Sequence, residues 1–257
     1  MCPTERNVPE SMIGRVSLVL GAFGPNDEDL GISEIARRTG LAKATVSRIS
    51  RELIDYEFLE RRGTSVRLGL RIFEMGSLTR RPKDLRRLAL ATMADLRQAT
   101  GHTVHLAVRE GREVVYIEIL RGRDGVQLPS RVGGRMPAHA TGVGKALLAY
   151  ANSAVVEEIL SSPLEQMGPR TFTSASDLRV ELESVRTHGV AFEQEESAAG
   201  VCCAAGAILR ENGEPMAAIS VSGPLGVVQL ERVGPAVQAA TMGLNRLIRN
   251  NTQLSRI

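Results

Sequence analysis

With 257 residues, 43% of them hydrophobic, 24% charged and a formal charge of +3, the chain has material for two cores of about 100–150 residues each. Three cysteines, two of them adjacent at Cys202 and Cys203, exclude a disulfide framework and point to a reducing compartment. The start carries no apolar targeting segment, and no run approaches the ~18 apolar residues of a membrane span, so a cytoplasmic protein is expected, with no membrane partner.

The charge is unevenly placed. Residues 32–88 hold fourteen Lys/Arg against seven Asp/Glu, whereas residues 101–257 hold fifteen against sixteen. A basic segment beside a nearly neutral one fits a polyanion-binding domain joined to a domain of another kind.

In chain order, apolar residues at helical spacing over Met12–Leu20 predict a first helix, ended by the breaker Gly24-Pro25. Residues 32–69 read as a winged helix-turn-helix. Ser33 is placed to cap a short helix whose Ile35 and Ala36 face inward. Gly40 supplies the positive φ that ends it, and Leu41 fills the angle between two helices. Val46, Ile49, Leu53 and Ile54 then recur on one buried face. The opposite face carries Lys43, Thr45, Ser47, Arg48 and Arg51, side chains suited to phosphates and base edges when a helix lies in the major groove. A hairpin rich in Arg61, Arg62 and Arg67 follows as the wing.

Beyond Gly69, a short helical piece from Leu70 leads through Arg80-Arg81-Pro82 to a helix at about 83–100. Leu85, Leu88, Leu90, Met93 and Leu96 are expected inward, and Gly101 is the stop. The period then switches to alternation, giving paired strands over 103–109 and 113–120, further strands at 190–195, 201–209 and 215–222, and an Asn212-Gly213 turn between the last two. Helices are expected at about 143–161, 175–188 and 231–249. The fold class is therefore α+β. An N-terminal DNA-binding domain (1–69) and a linker (70–82) precede an antiparallel sheet domain flanked by helices (83–257).

These motifs, in this order, resemble the IclR family of bacterial transcriptional regulators over nearly the whole length. The resemblance is carried by Ile35-Ala36 with Gly40-Leu41, Lys43, Thr45-Val46 and Arg48, and by Leu68-Gly69. It continues in Arg135-Met136-Pro137, His139 and Gly142-Val143-Gly144-Lys145, in the block from Val185 through Gly189, Glu195-Glu196-Ser197 and Gly200 to Cys203, and in Ser220-Val221-Ser222-Gly223-Pro224. It implies a GAF-like C-terminal domain that binds a small effector, and a homodimer or dimer of dimers on a palindromic operator of double-stranded DNA. Two positions depart from the family's habit. Ala42 stands where a proline is frequent and Ala44 where a serine is frequent. Ala44 still falls on the DNA-facing side of the helix.

Gly142-Val143-Gly144-Lys145 invites a nucleotide-binding reading that the spacing rejects. A P-loop needs a glycine where His139 stands and Ser or Thr where Ala146 stands. A helix N-terminus with two glycines remains, either a tight turn under the sheet or, as the resemblance implies, a place where the Gly142 and Val143 amides meet effector oxygens. The resemblance also puts Glu193, Cys203, Ser220 and Ser222 at effector-contacting positions. Ser220 and Ser222, two apart on one strand, share a face. Val126 and Leu128 are read as the apolar side of the pocket. Glu195-Glu196 is taken as a solvated or structural pair.

The expected function is a sequence-specific transcriptional regulator, with repression favoured, whose operator binding responds to a small carboxylate-bearing metabolite. Arg48 and Thr45 are assigned to bases, and Lys43, Arg51, Arg61 and Arg62 to phosphates. No cofactor and no enzymatic activity are expected. The alternatives are a C-terminal domain that serves assembly only, or one with a metal or catalytic site, for which His139, Glu193 and Cys203 would have to converge.

Overall fold

A computed structural model describes residues 9–123, 128 and 130–250. The chain divides into two compact units, the boundary falling between Arg80 and Arg81.

In the first unit, α1 (Met12–Leu20) is capped by the Ser11 hydroxyl, which accepts from the Gly14 amide. It ends at Gly21, ahead of Gly24-Pro25, where the Gly24 amide instead donates to Asp27. A two-residue strand β1 (Leu30–Gly31) runs straight into α2 (Ile32–Thr39). Because Gly31 pairs with Ser65 in the wing, the helix starts one residue before Ser33. The cap position is thus Gly31, and Ser33 lies inside the first turn. Gly40 takes φ +74° and returns its amide to the Ala36 carbonyl, as its position predicted. The next helix, α3 (Lys43–Asp55), has Ala42 at its cap position and no side-chain cap. Strands β2 (Leu59–Arg62) and β3 (Ser65–Leu68) close the wing, in the order β1-β3-β2. Val19, Ile35, Leu41, Val46, Ile49, Leu53, Leu59 and Val66 form the core, with Ile54 partly buried against it.

Helix α4 (Leu70–Ser77) buries no residue. Helix α5 (Arg80–Thr100) begins three residues earlier than predicted, Pro82 lying in its first turn, where a missing N–H costs no hydrogen bond. Its inward stripe is Leu85, Ala89, Met93 and Leu96. Leu90 was expected inward and is exposed, because one residue of drift at 100° per residue brings Ala89 to the seam instead.

The second unit is a six-stranded antiparallel sheet. Its strands are β4 (Thr103–Glu110), β5 (Glu113–Leu120), β6 (Arg135–Pro137), β7 (Ala191–Gln194), β8 (Val201–Leu209) and β9 (Pro215–Pro224), in the order β6-β5-β4-β9-β8-β7. One face packs on α5 and α9 (Leu230–Arg249) through Val104, Leu106, Cys202, Ala204, Ile208, Ile219, Val221 and Val237. The other face carries α6 (Gly142–Leu148), α7 (Ser153–Leu160) and α8 (Ala175–His188). The single helix expected at 143–161 is two. Helix α6 ends at Leu148, and Asn152 caps α7 by accepting from the Ala154 amide. The face under α6 is floored by Ala107, Ala191, Ala205 and Ala218. Side chains this small let a helix lie close on a sheet.

Candidate functional sites

In the first unit, the outward face of α3 is set by its inward face. With Val46, Ile49 and Leu53 buried, the 3.6-residue period leaves Lys43, Ala44, Arg48 and Arg51 exposed and Thr45 and Ser47 half-buried. Arg61 and Arg62, at the tip of β2, are exposed as well. Ion pairing separates the basic residues into two groups. Arg38 is held by Asp27 and Glu34, Arg37 by Glu34, and Arg67 by Glu60. Arg67 was counted with the wing's basic residues, and its Nε donates to the Glu60 carboxylate at 2.7 Å. Among the described residues, Lys43, Arg48, Arg51, Arg61 and Arg62 have no acidic partner. The N-terminal amides of α3 also lack a side-chain acceptor. This surface can therefore offer both uncompensated cations and backbone donors to a polyanion.

In the second unit, a small cavity of about 30 Å³ lies between α6 and the sheet. Antiparallel register brings its sheet wall together. Glu193 pairs with Cys203, Cys203 with Ser222, and Ser220 with His105, so β7, β8, β9 and β4 each place a polar side chain on the same face. Gly142, Val143, Leu128, Ser130, Thr141, Tyr116 and Met136 complete the lining. Seven residues named from the sequence thus share one cavity: Leu128, Gly142, Val143, Glu193, Cys203, Ser220 and Ser222. Val126 lies outside the described residues.

His105 is the residue that sequence reasoning missed. It is buried, its Nε2 lies 2.7 Å from Ser130 Oγ, and its Nδ1 lies 3.3 Å from Ser220 Oγ and 3.2 Å from Ser222 Oγ. Burial, helped by the nearby Arg121 charge, pushes its pKa down to about 3. The ring is therefore neutral, with one nitrogen donating and one accepting. Its signal lies in the register: a histidine directly across from Ser220, in a strand whose residues 104 and 106–108 are apolar. The two serine hydroxyls are 3.2 Å apart. The Tyr116 ring sits 5.2 Å from His105, and burial raises its phenol pKa.

Glu193 forms the other end. Its Oε1 accepts from the Glu196 amide, the Ser197 amide and the Ser197 hydroxyl at 2.9–3.1 Å. Burial pushes its pKa upward against these donors. Burial also raises the Cys203 thiol well above its ordinary value, leaving a protonated, unreactive sulfur. Over this wall sits Gly142. A Cβ there would collide with Cys203 Sγ, and one on Gly144 would collide with the Ala138 backbone. Thr141 caps α6 by accepting from the Gly144 amide at 3.1 Å, so the Gly142 and Val143 amides, at the head of the helix, have no acceptor in the helical ladder.

His139 does not join Glu193 and Cys203. Its Nε2 meets the Glu165 carbonyl at 2.9 Å. Among the described residues, no group of three His, Cys, Asp or Glu could hold a metal ion. Glu195 and Glu196 are both structural: Glu195 Oε1 accepts from the Gly200 amide, and Glu196 Oε1 accepts from Lys145 Nζ at 2.7 Å.

Comparison with known families gives two matches, to the IclR helix-turn-helix domain over residues 13–63 and to the bacterial transcriptional regulator IclR C-terminal domain over residues 78–243. The HTH-type transcriptional regulator XynR of Escherichia coli K12 is 30% identical over 213 residues, covering 82% of this chain and 84% of that one. The HTH-type transcriptional repressor AllR of the same strain is 33% identical over 196 residues, covering 75% and 72%. Among solved structures, an IclR homolog complexed with 4-hydroxybenzoate from Microbacterium hydrocarbonoxydans superposes with a TM-score of 0.85. It is 33% identical and covers 94% of this chain and 100% of its own. The Thermotoga maritima IclR follows this fold with a TM-score of 0.75 at 27% identity, over 92% and 98%.

Proposed function

The chain belongs to the IclR family of DNA-binding transcriptional regulators, and from that premise we propose that the cavity beneath α6 receives a small carboxylate-bearing effector that modulates operator binding. The observation that carries this reading is the convergence of Ser220, Ser222 and His105 with the Gly142 and Val143 amides on one cavity. These are neutral hydrogen-bond donors, and together they suit an anionic oxygen without needing a buried cation. A solved relative complexed with 4-hydroxybenzoate supports the carboxylate class.

The cavity's 30 Å³ is about the volume share of one water molecule, far below the several hundred Å³ of an occupied small-molecule pocket. An effector of that size fits when α6, or the wall at Leu128 and Ser130, moves outward, and this displacement is assigned as its signal. Glu193, three strands across from His105 or roughly 14 Å at strand spacing, is assigned to a donor on the far end of the effector, such as a hydroxyl.

On DNA, α3 lies in the major groove with Arg48 and Thr45 on base edges. Ala44 and Ser47 lie against the groove wall, and Lys43, Arg51, Arg61 and Arg62 lie on phosphates. One such module buries too little surface for useful specificity, so a homodimer or dimer of dimers on a palindromic operator is assigned, acting in the cytoplasm as a repressor and not as an enzyme.

Calorimetric titration of 4-hydroxybenzoate and a panel of small hydroxy acids into the protein, with and without operator, tests the reading. Coupling between the two sites must be reciprocal, so an effector that loosens DNA must itself be loosened by DNA by the same factor. Binding of no acid in the panel removes the carboxylate assignment, and equal affinities with and without operator remove the coupling.

A further inference from the structure

A second, larger recess of about 560 Å³ opens beside the edge strand β7, between it and α8, and shares no lining residue with the effector cavity. Its volume is that of a small-molecule site. Its floor is polar in an unbalanced way. Lys145 is fully buried and its Nζ donates to Glu181 Oε1 at 2.8 Å, Glu196 Oε1 at 2.7 Å and the Phe192 carbonyl at 2.7 Å. All three of its donors are thereby used, while Glu196, 6% exposed, keeps a second oxygen, Oε2, buried with no hydrogen-bond partner. Two carboxylates thus face one ammonium, and one oxygen of Glu196, a residue that lines the recess, lies just beneath the surface without a partner. Buried polar atoms are almost always paired, so an orphan at the foot of a cavity marks a missing donor.

The rest of the lining narrows the class of that donor. Phe172 and Phe192 present ring surface, and Val185 and Val190 add aliphatic surface. The Lys145 ammonium already lies 5.0 Å over the Phe172 ring, so this wall accepts a cation by its face as well as by its carboxylates. An anion would meet Glu181 and Glu196, and Arg170 is turned aside to Gln194 Oε1 at 3.3 Å. A bare metal ion would find aromatic and aliphatic carbon where it needs oxygen ligands.

We propose that this recess is a second ligand site, taking a small organic ammonium or guanidinium compound whose N–H donates to Glu196 Oε2 and whose carbon skeleton lies along Phe172 and Phe192. The site adds to the effector reading and stands without it. The Glu196 amide also donates to Glu193 Oε1, so the two sites meet at one short stretch of chain.

The test is titration of the full chain with n-butylammonium and agmatine, with tetramethylammonium as a cation that has no N–H, read by calorimetry and by saturable thermal stabilisation. The expected result is binding of butylammonium or agmatine at least tenfold tighter than tetramethylammonium. Glu196→Gln, which keeps an oxygen for Lys145 and puts an N–H donor in place of the orphan acceptor, should weaken it tenfold or more. Ser184→Trp should abolish it by filling the recess from the exposed side of α8, away from the ion cluster, so it serves even if Glu196→Gln folds poorly. Absence of saturable binding by either N–H compound, equal binding of tetramethylammonium, or undiminished binding in both variants overturns the proposal.

Discussion

Lys145 Nζ lies 2.7 Å from Glu196 Oε1, a pairing across 51 residues of sequence with the lysine wholly buried and the glutamate nearly so. It ties α6, which carries Gly142 at the cavity, to the segment that follows β7. Loss of the cation leaves Glu181 and Glu196 facing each other and the Phe192 carbonyl without its donor. Lys145→Met is therefore expected to destabilise the second unit by about 3–5 kcal/mol, the usual result of removing one partner from a buried pair. Urea unfolding measures it, and a loss below about 1 kcal/mol would mean that the cluster behaves as a surface pair.

The same cluster gives stability an unusual dependence on pH. Burial pushes Glu196 up to about 7, above its ordinary 4.5, against the pull of Lys145. The folded state then holds this proton more tightly than the unfolded one. The associated stability is full below pH 4.5 and is lost as pH rises to about 7, on the order of 3 kcal/mol. His105 acts with the opposite sign. Its folded value of about 3 lies below the ordinary 6.5, so its stability is full above pH 6.5 and is lost as pH falls toward 3, on the order of 5 kcal/mol. Between pH 4.5 and 6.5 the two slopes oppose. Glu196→Gln should make the chain lose stability more steeply on acidification, and His105→Gln should make it gain. Chemical denaturation at a series of pH values reads both, and unchanged slopes in both variants refute the assignment.

The sequence was most readable where backbone geometry or strict alternation decides structure. Gly40, Gly101 and Gly213 all take the positive φ that their positions require. The four longer sheet strands beyond Gly101 follow their alternation to within two residues. Legibility failed where a distant partner decides. The helix expected across 143–161 breaks because Asn152 starts a new one, and Gly31 replaces Ser33 as cap because the wing captures it in a strand. Short β6 was not foreseen, since three residues with a proline carry no periodic signal. The cavity residues on β7, β8 and β9 were reached through family motifs, whereas His105 lay outside those motifs and needed the strand register. The run Gly142-Val143-Gly144-Lys145 gives Lys145 the look of a phosphate lysine. Its real partners, 36 and 51 residues away, have no local signature.

The two glycines of α6 separate site from scaffold. A Cβ on Gly142 meets the Cys203 sulfur and the side chains of Glu193 and Ala205, all of them cavity wall or floor. A Cβ on Gly144 meets the Ala138 backbone, which has no rotamer to shift. Gly144→Ala should therefore cost more stability than Gly142→Ala, both within or beyond the about 1–3 kcal/mol typical of overpacking. Gly142→Ala should also abolish effector binding while the protein stays folded. The paired measurement is thermal unfolding with acid titration, and equal stability losses would contradict this division.

On the DNA side, ion pairing predicts a ranking among arginines that composition alone does not. Arg48 stands on the outward face of α3 and is assigned to a base edge. Arg48→Ala should cost about 1–3 kcal/mol on operator and relax sequence preference. Arg62, exposed at the tip of β2 and unpaired among the described residues, is assigned to a phosphate. Arg62→Ala should weaken operator and random DNA alike and flatten the slope of log affinity against log salt by about 1. Arg67 is already neutralised by Glu60, so Arg67→Ala should leave that slope within error of the parent. Fluorescence anisotropy across a salt series on both DNAs gives all three values. If Arg67→Ala flattens the slope as much as Arg62→Ala, the Glu60 pair opens on DNA and the wing presents three phosphate contacts in place of two.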